Sequence, residues 1–214
     1  GINGDGSVWY FYSDSIYEEL KDLGISPKII VLLRNPVEVI YSLHSQNIMD
    51  ANENISDFET ALSLEESRKT GNNLPPNVDP PRTVYYKNTA DFYPRMQLLQ
   101  ENIPSENIFV GLQEDLKMDT KKFLEKIESF LGLSHFENFQ IEAVNENHIV
   151  KNKVFHQHIK KPSSFEKSLI RTLIPFKGIR SWLIHKVYNS NIIKTKRADL
   201  SEKTKTDLKS YFHS

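Results

Sequence analysis

The chain has 214 residues, 26% charged and 38% apolar, proportions that allow one well-buried globular domain and exclude a low-complexity chain. No apolar run approaches the roughly 20 residues that cross a bilayer, and the absence of cysteine excludes disulfides, thiolate metal sites and a cysteine nucleophile, so a reducing compartment, the cytoplasm, is the expectation. The net charge of −1 hides a division: residues 1–148 carry 12 Lys+Arg against 24 Asp+Glu and residues 149–214 carry 15 against 4, so the basic third either faces an anion or neutralises the acidic part.

From the N-terminus, Ser7 to Tyr12 is an aromatic cluster that reads as core packing. Asp14 is placed to cap a short helix through Leu23, closed by Gly24. Lys28 to Leu33 is a short apolar run after one lysine, the pattern of a strand buried on both faces of a parallel sheet. It stops at Arg34. Asn35 as N-cap, Pro36 in the first helical position and Glu38 at N3 predict a helix through Gln46. A strand, a tight turn and a helix follow one another here, and in open parallel sheets ligands bind beyond the carboxyl ends of the strands.

Asn47 to Asn54 reads as a loop, and Ser56 with Glu59 as a capping box opening a helix whose wet end is Glu65 to Arg68. Gly71 to Pro81, rich in proline and asparagine, is a long surface loop. A helix from about Asp91 to Glu101 carries Pro94 in its first turn. Ile108 to Leu112 is the second clear strand, and Asp119 caps an amphipathic helix that Gly132 ends. Ser134 to Pro162 lacks periodicity. Ser163 with Glu166 starts a helix ending before Pro175, Lys177 to Asn189 makes another, and Asp199 with Glu202 caps a last one through Phe212.

Arg34 and Ser42 are eight residues apart, and Ser42 falls about 9 Å along the helix axis from Pro36 at 1.5 Å per residue. An arginine bending over that turn can meet the serine at one phosphate. A strand-end arginine paired with a carboxylate, beside an incidental serine, explains the same residues. His44 lies about 200° round the helix from Ser42 and reads as structural. His156 and His158 alternate as in an extended segment, read as solvated and basic, with no metal-ligand spacing around them. The apolar and basic residues from Phe165 to Arg197 fit either a membrane-surface element or a core-covering helical pair with snorkelling lysines; the second is the simpler.

Lys28 to Ser42, Lys-Ile-Ile-Val-Leu-Leu-Arg-Asn-Pro-Val-Glu-Val-Ile-Tyr-Ser, resembles the 3′-phosphate-binding motif of sulfotransferases that use 3′-phosphoadenosine 5′-phosphosulfate (PAPS). The strand Ile108 to Leu112, the following Gln113-Glu114-Asp115-Leu116, the helix ending Phe130-Leu131-Gly132-Leu133 and the final Leu200-Ser201-Glu202 helix follow the same order. The resemblance implies a P-loop-type α/β fold, a parallel central sheet flanked by helices and a helical C-terminal third. It gives Arg34 and Ser42 the cofactor's 3′-phosphate. It sets Lys151 and Lys153 in a late loop that closes over the cofactor. Asp5, Ser7 and Tyr10 match a Glu-x-Ser-x-x-Tyr stretch beside the acceptor. Asn35 for the more usual aspartate and Val39 for a common arginine are departures that leave the phosphate ligands intact.

Residues 1–214 contain no Pro-Lys-(Ser/Thr)-Gly-Thr-type phosphosulfate loop. The expectation is therefore one sulfotransferase-like domain lacking its N-terminal strand and loop, with the catalytic lysine and base N-terminal to this chain. The implied partners are PAPS and a small-molecule or glycan acceptor offering a hydroxyl or amine, with no metal and no nucleic acid. Two other readings stand beside it. One is a non-catalytic nucleotide- or polyanion-binding module of the same fold. The other, a P-loop kinase, is opposed by the absence of a Walker lysine and of an obvious magnesium aspartate.

Overall fold

The computed structural model describes residues 3–136, 148–195 and 199–213. In chain order its elements are α1 (Ile16–Asp22), β1 (Ile29–Leu33), α2 (Pro36–Met49), α3 (Phe58–Ser63), α4 (Glu65–Lys69), α5 (Tyr86–Ala90), α6 (Tyr93–Asn102) and β2 (Ile108–Leu112). There follow α7 (Gln113–Met118), α8 (Thr120–Leu131), β3 (His148–Val150), α9 (Lys153–Lys160), α10 (Ser164–Leu173), α11 (Lys177–Ser190), β4 (Ile192–Lys194) and α12 (Glu202–His213). The class is mixed α/β with a helical majority. The chain divides into two compact units, the first within Gly1–Asn35 and Asp91–Gln140, the second within Pro36–Ala90 and Ile141–Ser214.

In the first unit β1 and β2 pair in parallel with Ile29 opposite Ile108 and Leu33 opposite Leu112. Val31, Leu99 and Ile103 form its buried core, with Phe11, Tyr17, Leu20 and Met96 packed around them. On the other sheet face, Phe123 and Phe130 of α8 pack on Phe109 of β2. That cover does not extend to the neighbouring strand, where Ile30 and Leu32 are 37% and 53% exposed. The strand expected to be buried on both faces is thus fully buried only at Val31. α8 begins and ends as its sequence predicts: Asp119 Oδ1 accepts from the Lys122 N–H at 3.0 Å, and Gly132 takes φ 73°. At α1 the N-cap position falls to Ser15, not Asp14, and the Asp14 carboxylate pairs with Arg95 at 2.5 Å.

The second unit is built on α2, whose Val37 and Ile40 meet Phe58, Ala61, Val84, Tyr86, Ala90 and Leu208 in one core. His44 is structural, as read: it is buried, Nε2 donates to the Ile55 carbonyl at 2.9 Å, and Phe58 and Tyr86 stand edge-on to its ring. α2 outruns its predicted end by three residues. Buried Asn47 donates to the Thr83 carbonyl at 2.7 Å, and the Met49 carbonyl accepts from His156 Nε2 at 2.8 Å, so tertiary bonds hold the last turn in place.

Other sequence expectations yield to tertiary bonds in the same way. Asp57, not Ser56, caps α3, its Oδ1 accepting from Thr60 N–H at 2.9 Å, because Glu59 is taken by the hydroxyls of Ser201 and Thr204. Glu65 and Arg68, predicted wet, are buried. Arg68 forms a two-pronged pair with Glu53 at 2.7 and 3.0 Å, and Glu65 accepts the backbone N–H groups of Lys87 and Asn88 at the start of α5. His156 lies not in an extended solvated segment but in α9, 1% exposed, its ring against Tyr188. The aperiodic stretch also contributes β3, antiparallel to β4, a pair too short to show in the sequence. Finally, α10 and α11 do not blanket a core: Leu169, Leu173, Trp182 and Ile184 are exposed, and only residues such as Ile170, Ile174 and Leu183 turn partly inward.

Candidate functional site

Arg34 follows the last residue of β1, half-buried, at the carboxyl edge of the parallel pair. The register that sets Leu33 beside Leu112 makes Gln113, the first residue of α7, the next position on the neighbouring strand's path. Gln113 Oε1 is buried and has no hydrogen-bond partner among the described residues. An unpaired buried acceptor costs about 1–3 kcal/mol, and its place at the edge where parallel sheets take ligands makes it a candidate site residue. Sequence reasoning missed it, because a glutamine after a strand carries no signal until the burial of its carbonyl is known.

The first unit also holds the three residues expected near the acceptor. Tyr10 donates its hydroxyl to Asp5 Oδ2 at 2.5 Å, and the Gly6 N–H donates to Asp5 Oδ1 at 2.8 Å. Ser7 is spent locally, its Oγ accepting from Trp9 N–H at 3.2 Å to cap the turn Val8–Tyr12. The pairing holds the Asp5 carboxyl below its ordinary range, chiefly through the Tyr10 hydroxyl, and raises the Tyr10 phenol for the same reason. Both groups are exposed. Two residues on, burial pushes the Tyr12 phenol up to about 12, with the charge of Arg95 acting the other way.

In the second unit Ser42 is half-buried on α2, nearly two helical turns from Pro36. Arg34 and Ser42 each make interactions within the protein. Lys151 follows β3; its Nζ donates to the Ser190 carbonyl at 2.7 Å and its backbone N–H to the Asn191 carbonyl at 2.8 Å. A cation on the last carbonyl of α11 is favourably placed against the helix dipole, so Lys151 has a structural task whatever else it does. Lys153 opens α9, and its side chain lies outside the described residues. Asn152 caps α9, accepting from Phe155 N–H at 3.0 Å, and exchanges backbone-to-amide bonds with buried Asn191. Asp5, Ser7, Tyr10, Arg34 and Gln113 thus belong to one unit, and Ser42, Lys151 and Lys153 to the other. Among the described residues no group of three or more histidines and carboxylates is arranged to hold a metal ion.

A family model described as the sulfotransferase domain matches residues 17–173. Among solved structures the chain resembles a sulfotransferase from Alicyclobacillus acidocaldarius, with a TM-score of 0.52 at 19% identity over 86% of this chain. The match spans 66% of that protein's length, just under two thirds. Among curated proteins none matches in sequence.

Proposed function

Because the chain belongs to the sulfotransferase domain family, we propose that it forms part of an enzyme that moves a sulfuryl group from PAPS to a hydroxyl or amine, carbohydrates among the acceptors. The observation that carries the reading is the strand-to-helix passage from β1 to α2. It ends a parallel strand on Arg34, inside the segment that the family model matches. In this reading Arg34 and Ser42 hold the 3′-phosphate, the arginine by its planar fork and the serine by its hydroxyl. Gln113 Oε1, unpaired among the described residues, accepts from a donor on the same nucleotide. Lys151 and Lys153 add positive charge to the cofactor's side, and Asp5, Ser7 and Tyr10 line the acceptor's. The two units are read as parts of one domain, since the family match includes residues of both.

The reaction is a displacement at sulfur. The bond from the acceptor oxygen or nitrogen to sulfur forms as the bond from sulfur to the 5′-phosphate oxygen breaks, and the acceptor's proton passes to a base. Such chemistry rests on alignment and on donors aimed at oxygens that gain charge. The grip of Arg34 and Ser42 on the 3′-phosphate supplies alignment.

Calorimetric titration of adenosine 3′,5′-bisphosphate tests the assignment. Binding is expected, with Arg34→Ala weakening it about 10- to 100-fold, the range for a charge-assisted hydrogen-bonded contact, while ATP with magnesium competes poorly. Absent binding, or binding indifferent to Arg34→Ala, overturns the cofactor assignment. Labelled PAPS offered with an acceptor panel then separates an enzyme from a binding module: nucleotide binding without any sulfuryl transfer favours the module.

A further inference from the structure

Helices α10 and α11 leave uncovered a series of large apolar side chains. Phe165, Leu169 and Leu173 recur every fourth residue and so share one side of α10; they are 76%, 47% and 71% exposed. Phe176 at the turn, with Ile179 and Trp182 on α11, are 69%, 53% and 59% exposed. Single exposed apolar residues are ordinary on a protein surface. Six within residues 165–182, on two consecutive helices, are a concentration of the kind that marks an interaction surface.

The surroundings of the patch are cationic. On another exposed side of α10, Lys167 and Arg171 line one shallow groove with Ser164, Ser168 and Thr172. On α11 the Lys186 ammonium stands 5.0 Å from the centroid of the Trp182 ring. Arg180 Nη1 donates to the Ile174 carbonyl at 3.3 Å, fastening the start of α11 to the end of α10. Between Ser163 and Ser190 there are five lysines and arginines and one carboxylate. That carboxylate, Glu166, is occupied by the Ser163 N–H at 2.6 Å and by His158 at 2.6 Å.

A second copy of this chain pairing through the same face would set these cations against their own like, with one engaged carboxylate on each side to offset them. An anionic lipid surface answers both halves of the pattern. On α10, Phe and Leu on one side and Lys, Arg and hydroxyls on the other are the composition of helices that lie in a membrane interface, and on α11 Lys186 stands over Trp182 as a snorkelling cation beside an apolar anchor. No helix among the described residues is long and apolar enough to cross a membrane. We propose that α10 and α11 form an interfacial element that seats the protein on an anionic membrane surface. Phe165, Leu169, Leu173, Phe176 and Trp182 enter the boundary between headgroups and acyl chains, and Lys167, Arg171 and Lys186 meet the headgroups.

Flotation of the full chain with vesicles tests this. One set is phosphatidylcholine alone; the other mixes phosphatidylcholine with phosphatidylserine. Binding to the mixed vesicles is expected to exceed binding to phosphatidylcholine at least about tenfold and to fall with added salt. Lys167→Gln with Arg171→Gln should weaken it about 30-fold, roughly fivefold per cation. Phe165→Ser with Leu173→Ser should weaken it at least about tenfold through lost apolar burial. All four side chains are exposed, so both double variants should keep the parent's circular dichroism and melting temperature. No binding to the mixed vesicles, equal binding to both compositions, or binding untouched by either double variant overturns the proposal. If vesicles are ignored while sedimentation shows a dimer that Phe165→Ser with Leu173→Ser splits, the patch is an interface between copies and the lipid reading is wrong.

Discussion

Gly111 shows how one residue constrains the sheet. It is buried in β2, and a Cβ built on it would stand 2.8 Å from Phe123 Cε2 and nearer still to Cζ. The ring is itself buried between β2 and the rest of α8, so it has little room to yield. Gly111→Ala should therefore cost about 1–3 kcal/mol by overpacking, read as a lower urea midpoint. Phe123→Leu removes the obstructing ring atoms, so the double variant should cost less than the two single losses added together. Simple additivity would show that the close approach does not govern the site. Nothing in the sequence separates this glycine from one required by a turn, since its reason lies twelve residues away on another element.

Among the elements, helix ends were the most legible feature. Ser163 and Glu166 form the reciprocal capping box that their spacing predicts: the Glu166 N–H donates to Ser163 Oγ at 3.2 Å, and the Ser163 N–H donates to Glu166 Oε2. Those bonds, the backbone one foremost, and His158 hold the Glu166 carboxyl below its ordinary value of 4.5. A carboxyl depressed in the folded state contributes its stability above the unfolded value and loses it as pH falls through the folded one. Protection factors in the first turn of α10, exchange rates divided into those of the unstructured chain at the same pH, should accordingly be highest above about pH 4.5 and fall on acidification below it. In Glu166→Gln that acid-dependent step should vanish; its survival would assign the step to another group. Ser56 with Glu59 has the same spacing and fails, because Glu59 bonds Ser201 and Thr204 far along the chain. A local signal holds only when no distant partner outbids it.

At the scale of a whole unit, the buried pair Glu53–Arg68 organises the second unit's polar interior. Besides Arg68, the Glu53 carboxylate accepts from the backbone N–H groups of Asn54 and Ile55, each at 3.0 Å, and from the Tyr86 hydroxyl at 2.8 Å. Arg68 Nε reaches the Asn73 carbonyl, and Tyr85 donates its hydroxyl to the Arg68 carbonyl. Burial, followed by the neighbouring Glu53 charge, pushes the Tyr86 phenol far upward. Arg68→Met leaves an uncompensated buried carboxylate and should cost about 3–5 kcal/mol in urea unfolding. Adding Glu53→Gln should recover part of that loss, since without a buried charge the amide oxygen still accepts from the Asn54 and Ile55 N–H groups and the amide nitrogen donates to the Tyr86 hydroxyl oxygen. A loss under about 1 kcal/mol for Arg68→Met would remove the pair from any organising role.

What the sequence determined by itself was whatever depends on neighbours along the chain: the two apolar strands, the passage from Leu33 through Arg34 to Pro36, the Asp119 and Ser163 caps, the Gly132 stop, and from these the family motif. These features rest on backbone donors and dihedral preferences within about four residues, which composition and spacing encode directly. Only the tertiary structure decided which charges are buried, as with Glu65 and Arg68, where His156 lies, that Gln113 holds an acceptor unpaired among the described residues beside the strand ends, and that apolar side chains of α10 and α11 are left exposed. Each of these depends on which distant surface arrives to cover a side chain, and the free energy of burial is set by that meeting and not by the residue's own neighbours.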